Sequence, residues 1–197
     1  VLPINGDPTA ATIVPLGTTY TWSVLPGLEV TGASDEVIPQ NSVNITTDLI
    51  NSSNIDQEVI YTVTPTSDQG CVGPTFELTI TVEPRPIISD KTDAICSGDT
   101  FTLSPANNAP VEIVPTNTLY SWVIQTPNTD LTFLTGYSAE NDQLLISQTL
   151  INTSDEVKTI TYIITPNTGN CEGLPFELDV AVSPGPFVED IVLDPIC

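Results

Sequence analysis

Residues 71–96 read CVGPTFELTITVEPRPIISDKTDAIC, and residues 171–197 read CEGLPFELDVAVSPGPFVEDIVLDPIC. In the first copy Phe76, Leu78, Ile80 and Val82 alternate with Thr75, Glu77, Thr79, Thr81 and Glu83, the period of a strand with one buried face. Phe176, Leu178, Val180 and Val182 repeat the pattern. Each strand runs into Pro-x-Pro (Pro84 to Pro86, Pro184 to Pro186), which cannot continue a central ladder because proline has no N–H to donate. A second apolar run follows, ending in cysteine.

Two geometries fit that punctuation. If the chain turns back at Pro-x-Pro, Cys71 and Cys96 lie nearly equidistant from the turn and face each other on neighbouring strands, as do Cys171 and Cys197. Alternatively, Pro-x-Pro is a stiff extended linker and the second run opens the next domain. The reading taken is the hairpin, with disulfides Cys71–Cys96 and Cys171–Cys197, each closing a loop that contributes roughly 3 kcal/mol in the chain-entropy model. The rival pairing, Cys96–Cys171, sets its partners a strand length apart (~20 Å) at opposite poles of a small β-domain. A disulfide needs Cα atoms within about 7 Å.

Composition narrows the class. The chain has 197 residues, 40% of them hydrophobic, enough for one large core or two small ones. Arg85, Lys91 and Lys158 are the only bases against 25 acids, a formal charge of −22. Such a surface repels phosphate backbones and anionic lipid, so the expected partners include no nucleic acid and no membrane insertion. The acids are scattered, in pairs such as Asp35-Glu36, Asp155-Glu156 and Glu189-Asp190, the pattern of a solvated, self-repelling surface. No run of eighteen apolar residues, signal-peptide pattern or lipidation motif occurs, which reads as a soluble, excised piece. Four cysteines without a CxxC pair fit an oxidising compartment better than a metal site.

Superposed on itself, the chain repeats after about one hundred residues, the size of a small all-β domain. Ile13-Val14-Pro15 returns as Ile113-Val114-Pro115, Tyr20-x-Trp22 as Tyr120-x-Trp122, Leu49-Ile50-Asn51 as Leu150-Ile151-Asn152, and Tyr61 as Tyr162. Strands are expected at Val1–Ile4 and Thr100–Leu103, over Thr18–Val24, at Leu28–Thr31 and Leu131–Leu134, over Ser42–Ile50 and Gln143–Ile151, and over Glu58–Thr64 and Lys158–Thr165, with no helix. The alternation turns Tyr20, Trp22, Tyr61, Phe76, Tyr120, Trp122, Tyr162 and Phe176 into a core as its anchors. The expected fold is all-β, two tandem immunoglobulin-like sandwiches in an elongated rod, divided into residues 1–97 and 98–197.

The strings TTYTWSV, VTGASDE, LINSS, VIYTVTPTSDQGCVGPTFELTITVEPRP and ICSGDTFTLSP give the chain a further identity. It resembles the PKD-like, immunoglobulin-like repeats strung along giant surface proteins of Bacteroidota, of which the SprB-type gliding adhesins are the nearest kind. The resemblance covers the whole chain in two copies and implies export to the cell surface, adhesion and gliding motility. One departure limits it. The ordinary PKD motif continues from its Trp into Asp-Phe-Gly-Asp-Gly, whereas Trp22 is followed by SVLPG and Trp122 by VIQTP, so nothing about that acidic turn carries over.

With no histidine, Ser-His and Cys-His nucleophiles and imidazole metal sites are excluded, and no carboxylate pair singles itself out for glycosidase chemistry. No catalytic residue and no cofactor are expected. For calcium, the segments Thr31–Glu36 and Thr135–Asp142 hold the best oxygen donors but lack the Asp-x-Asn-x-Asp-Gly loop, and the preferred reading is solvated loop. The sequons at Asn44, Asn51 and Asn152 read as turn and strand residues. The first functional hypothesis is therefore a non-enzymatic stalk whose partners are neighbouring repeats of the same polypeptide. The second is a module binding a surface glycan or an abiotic surface, which calls for exposed aromatics; nearly every Tyr, Trp and Phe falls on an inward alternation, with Tyr137 the main candidate for exposure.

Overall fold

The computed structural model describes residues 12–45 and 48–186. The chain divides into two compact units, Val1–Arg85 with Ala109–Pro115, and Pro86–Asn108 with Thr116–Cys197. Within the first unit β1 (Thr19–Leu25), β3 (Glu36–Gln40), β5 (Gln57–Thr66) and β6 (Phe76–Val82) form a sheet in the order β3-β1-β5-β6, while β2 (Val30–Thr31) pairs with β4 (Ile50–Asn51). All the pairings among its described strands are antiparallel. Threonine and β-branched residues fill these strands because their stiff side chains pack well on a pleated, half-buried surface. Tyr20, Trp22, Val59, Tyr61 and Val63 are buried together, with Leu78, Ile80 and Val82 partly buried against them.

The second unit repeats this plan and extends it. Its main sheet runs β11 (Glu140–Gln143), β9 (Leu119–Ile124), β14 (Lys158–Asn167), β15 (Phe176–Ser183) and β7 (Lys91–Cys96). Facing pairs are β8 (Thr100–Leu103) with β12 (Ile146–Thr149), and β10 (Leu134–Thr135) with β13 (Ile151–Asn152). Every pairing is antiparallel except β15 with β7, whose parallel register runs from Leu178 opposite Lys91 to Ser183 opposite Cys96. Phe101 of β8 meets Tyr162 of β14 with ring centroids 5.4 Å apart, joining the two layers. The protein is thus all-β, two tandem sandwiches, and its one described helical piece is a 3-10 turn at Thr129–Thr132.

Several expectations need revision. The chain does not fold back over Pro84-Arg85-Pro86: β6 and β7 do not pair, and β7 joins the second unit's sheet. The unit boundary therefore falls at Arg85/Pro86 and not after residue 97, and the ladder that would have set Cys71 opposite Cys96 is not formed. The linker geometry is the one adopted, because Pro-x-Pro ends one ladder and the apolar run after it finds its partner in the following repeat. Of Leu131–Leu134, Leu131 and Thr132 belong to the 3-10 turn, which Asn128 caps by accepting from the Asp130 amide, and Leu134 is strand as the first residue of β10. Of Ser42–Ile50, no part before Ile50 is strand among the described residues. Val1–Ile4 lies outside them.

Candidate functional site

Two features of the repeat are polar and buried. Asn51 donates through Nδ2 to the carbonyls of Ile55 (2.7 Å) and Val82 (2.7 Å) and accepts through Oδ1 from the amide and hydroxyl of Ser53 (2.9 and 2.7 Å). Asn152 does the same with Glu156 (2.7 Å), Val182 (2.8 Å) and Ser154 (2.9 and 2.8 Å). The Leu-Ile-Asn-x-Ser signature is therefore a staple from a loop to the end of the last strand. A buried amide meets all four of its hydrogen-bonding needs there. Used this way, neither asparagine presents its side chain to solvent as a modification site.

The second feature belongs to one unit. Gln148 accepts at Oε1 from the Tyr162 hydroxyl (2.8 Å) and donates to the Ser138 carbonyl (2.8 Å), which also receives the Trp122 indole N–H (2.9 Å). In the first repeat the position of Gln148 is taken by Thr47, which lies outside the described residues, and the buried Tyr61 hydroxyl has no partner among those that are described. Burial raises the pKa of Tyr20 and Tyr120, and raises that of Tyr162 strongly, with charge on Tyr137 adding to it.

Carboxylates of the loops with the best oxygen donors accept hydrogen bonds from nearby amides and a hydroxyl. Asp35 Oδ1 accepts from the Val24 amide (2.7 Å), Glu36 Oε1 from the Ile38 amide (2.9 Å), and Glu140 Oε1 from the Ser138 hydroxyl (2.7 Å). Gly32 and Gly136 have φ of +90° and +91°, and a Cβ on either would stand 2.0 or 2.2 Å from the carbonyl oxygen of Asp48 or Thr149. Both loops are thus tight backbone crossings that only glycine permits. Among the described residues no cluster of three or more cysteine or carboxylate side chains converges as a metal cage would require. Of the other acidic pairs, Glu156 meets Lys158 at 3.2 Å, while Glu189-Asp190 lies outside the described residues.

Seven of the eight expected anchors are buried: Tyr20, Trp22, Tyr61, Tyr120, Trp122, Tyr162 and Phe176. Phe76 is the exception, 36% exposed where Phe176 is 2% exposed. It stands at the end of a groove of about 920 Å³ in the first unit, whose apolar lining includes Ile13, Pro15, Tyr20, Pro65 and Val72. Tyr137, expected outside, is half-buried, and the exposed aromatic among the described residues of the second unit is Phe133, with Lys158 Nζ 5.0 Å from its ring centroid. Cys71 and Cys96 are exposed thiols, Cys171 is half-buried, and no disulfide joins cysteines among the described residues. Cys197 lies outside them. Sequence reasoning missed the groove, although Gly73 and Gly173, repeated at an offset of 100 residues, marked where backbone and proline approach closely.

Two consecutive sandwiches with one core plan and one asparagine staple define a tandem immunoglobulin-like repeat. The chain matches the PKD-like domain family twice, over residues 3–86 and 93–186, and belongs to that family. Domains of this family are commonly extracellular structural or adhesion repeats and are typically non-catalytic. A comparison with curated proteins found no match. Among the described residues no helix is long and apolar enough to cross a membrane.

Proposed function

We propose that these repeats are non-catalytic segments of a secreted, surface-displayed adhesin filament, a stalk that supplies reach and stiffness to an adhesive region elsewhere in the parent protein. The observation that carries this reading is the repetition itself: the second repeat reproduces the first one's core and staple. The cation–π pair of Lys158 with Phe133 has no counterpart in the first repeat, where Gln57 and Glu29 hold the two positions. Selection for ligand binding preserves surface side chains from copy to copy, whereas selection for span preserves packing. The neighbouring repeats are then the principal partners. The resemblance to gliding adhesins extends the proposal to motility over glycan or abiotic surfaces, with placement on the outside of a bacterial cell.

Small-angle scattering and electron microscopy of a longer tandem test it. A stalk gives a particle whose length grows in proportion to repeat number, and for these 197 residues a radius of gyration well above the ~16 Å of a single globule. A compact particle, or saturable binding on a glycan array that is lost on mutating the groove, would replace the stalk with a carbohydrate-binding module.

A further inference from the structure

The main sheet of each unit has an edge strand in the middle of its repeat, β3 in the first and β11 in the second, and among the described residues nothing pairs with the outer side of either. An unpaired edge presents a row of open N–H and C=O groups, and it invites another strand most strongly where its side chains are apolar. β3 is of that kind, with Val37 81% exposed and Ile38 67%. Its own residues close it. β1 pairs with β3 through Tyr20 opposite Gln40 and Trp22 opposite Glu36, and the register shifts between those pairs, so that Val37, Ile38 and Pro39 form a bulge. Within the bulge Pro39 has no N–H to offer. Glu36 Oε1 accepts from the Ile38 amide (2.9 Å), and Gln40 Nε2 donates to the Ile38 carbonyl (3.2 Å). Both polar groups of the central residue are thus engaged by side chains of the same strand.

The second unit reaches the same end with different residues. β11 pairs with β9 through Glu140 opposite Trp122 and Gln143 opposite Tyr120, again with a shift of register between, and Asp142 there takes a left-handed φ of +53°. The Asp142 amide donates to Ser121 Oγ (3.0 Å), and Gln143 Nε2 donates to the Asn141 carbonyl (2.8 Å). Gln40 and Gln143 hold one place, opposite the tyrosine of Tyr-x-Trp, and each reaches back two residues along its own strand. The strands otherwise differ, EVIPQ against ENDQ, so the repeats share a way of occupying the edge and not a motif.

We infer that the edge strands are closed to strand addition by their own side chains, with Glu36, Pro39 and Gln40 closing the apolar one. The occupant they shut out is β3 of a second copy of this chain. Two such edges would be self-complementary in an antiparallel, two-fold pairing that sets Val37 and Ile38 against their counterparts. The formal charge of −22 also keeps copies apart, but only over a screening distance that shrinks to about 3 Å in about 1 M salt. The closure acts at contact distance and persists when that repulsion is screened.

Sedimentation velocity of the full chain tests this, under reducing conditions so that no thiol pairing contributes, and in about 1 M salt so that net charge does not mask the result. The triple variant Glu36→Ala/Pro39→Val/Gln40→Ala should associate about tenfold or more tightly than the unaltered chain. Adding Val37→Lys to it should cancel the gain, because a lysine on the edge opposes pairing with its own copy. A triple variant that stays monomeric with the circular dichroism of the unaltered chain overturns the inference, and so does a gain that Val37→Lys leaves intact. Association of the unaltered chain that Val37→Lys alone abolishes overturns it too, since the edge would then be open already. If the triple variant does not fold, Glu36→Ala and Gln40→Ala are measured singly, and no gain in association from either overturns the inference.

Discussion

Phe76 and Phe176 hold the same place in the two repeats, at the start of strands that pair in register with Val63 and Ile164, yet one is exposed and the other buried. Neither strand accounts for the difference, since both alternate in the same way. Phe176 is covered because residues 86–96 lie beside it, and those residues precede the rest of their unit in the chain. Tyr61 and Tyr162 differ for another reason: the second has Gln148 within reach and the first has no partner among the described residues. A repeat of this kind is therefore finished by two additions to a shared core, a strand arriving from upstream and a polar network within.

The sharpest way to probe that comparison is to empty the core. Trp122→Ala should cost about 3–5 kcal/mol as a cavity, and it also withdraws one of the two donors from the Ser138 carbonyl. Trp22→Ala should fall at the low end of the same range, because among the described residues no strand pairs with the outer edge of its unit's β6. Calorimetry resolving two transitions should show each variant lowering one of them. An equal fall in both would mean that the units unfold as one.

The staple should behave alike in both copies. Asn51→Ala and Asn152→Ala each strip partners from buried backbone groups, for about 2–3 kcal/mol apiece in denaturant titrations. A much larger cost in one unit would show that the shared signature carries different weight in the two.

The polar network predicts a difference of sign. Tyr162→Phe removes a satisfied hydroxyl and should destabilise the second unit by about 1 kcal/mol, while Tyr61→Phe removes an unsatisfied one and should leave the first unit unchanged or more stable. If both variants destabilise equally, Tyr61 has a partner after all.

The smallest effect is a pH dependence. Burial raises the Tyr162 pKa above the ordinary tyrosine value near 10, so its contribution is fully present below about pH 10 and is lost as pH climbs toward the folded value. The second unit's melting temperature should therefore fall above about pH 10, less steeply in Tyr162→Phe. An identical slope in that variant would assign the alkaline loss to other groups.

What could be read from the sequence was what repeats locally. The alternation of Tyr20 and Trp22, of Tyr61 and of Leu78 through Val82 gave β1, β5 and β6, together with their copies, because a period of two with one apolar face needs no partner to be visible. The edge strands Glu36–Gln40 and Glu140–Gln143 were invisible, since most of their residues face solvent and nothing alternates. Pro39 sits in the first of these, as an edge position allows. β7 failed differently: the run was seen but not its owner, because which ladder a strand joins is fixed by contacts some ninety residues away. Phe76 was misjudged for the same cause, its exposure being set by a neighbour outside its own unit's described sheet.

The parallel seam between β7 and β15 has a mechanical side. These are the first and last strands of the second unit's main sheet, side by side and pointing the same way, with six residue pairs in register. Tension entering through β7 and leaving through β15 slides one along the other, so the bonds of the ladder strain together and cannot be peeled one by one. The first unit, with no such seam along β6 among its described residues, should yield first in single-molecule pulling.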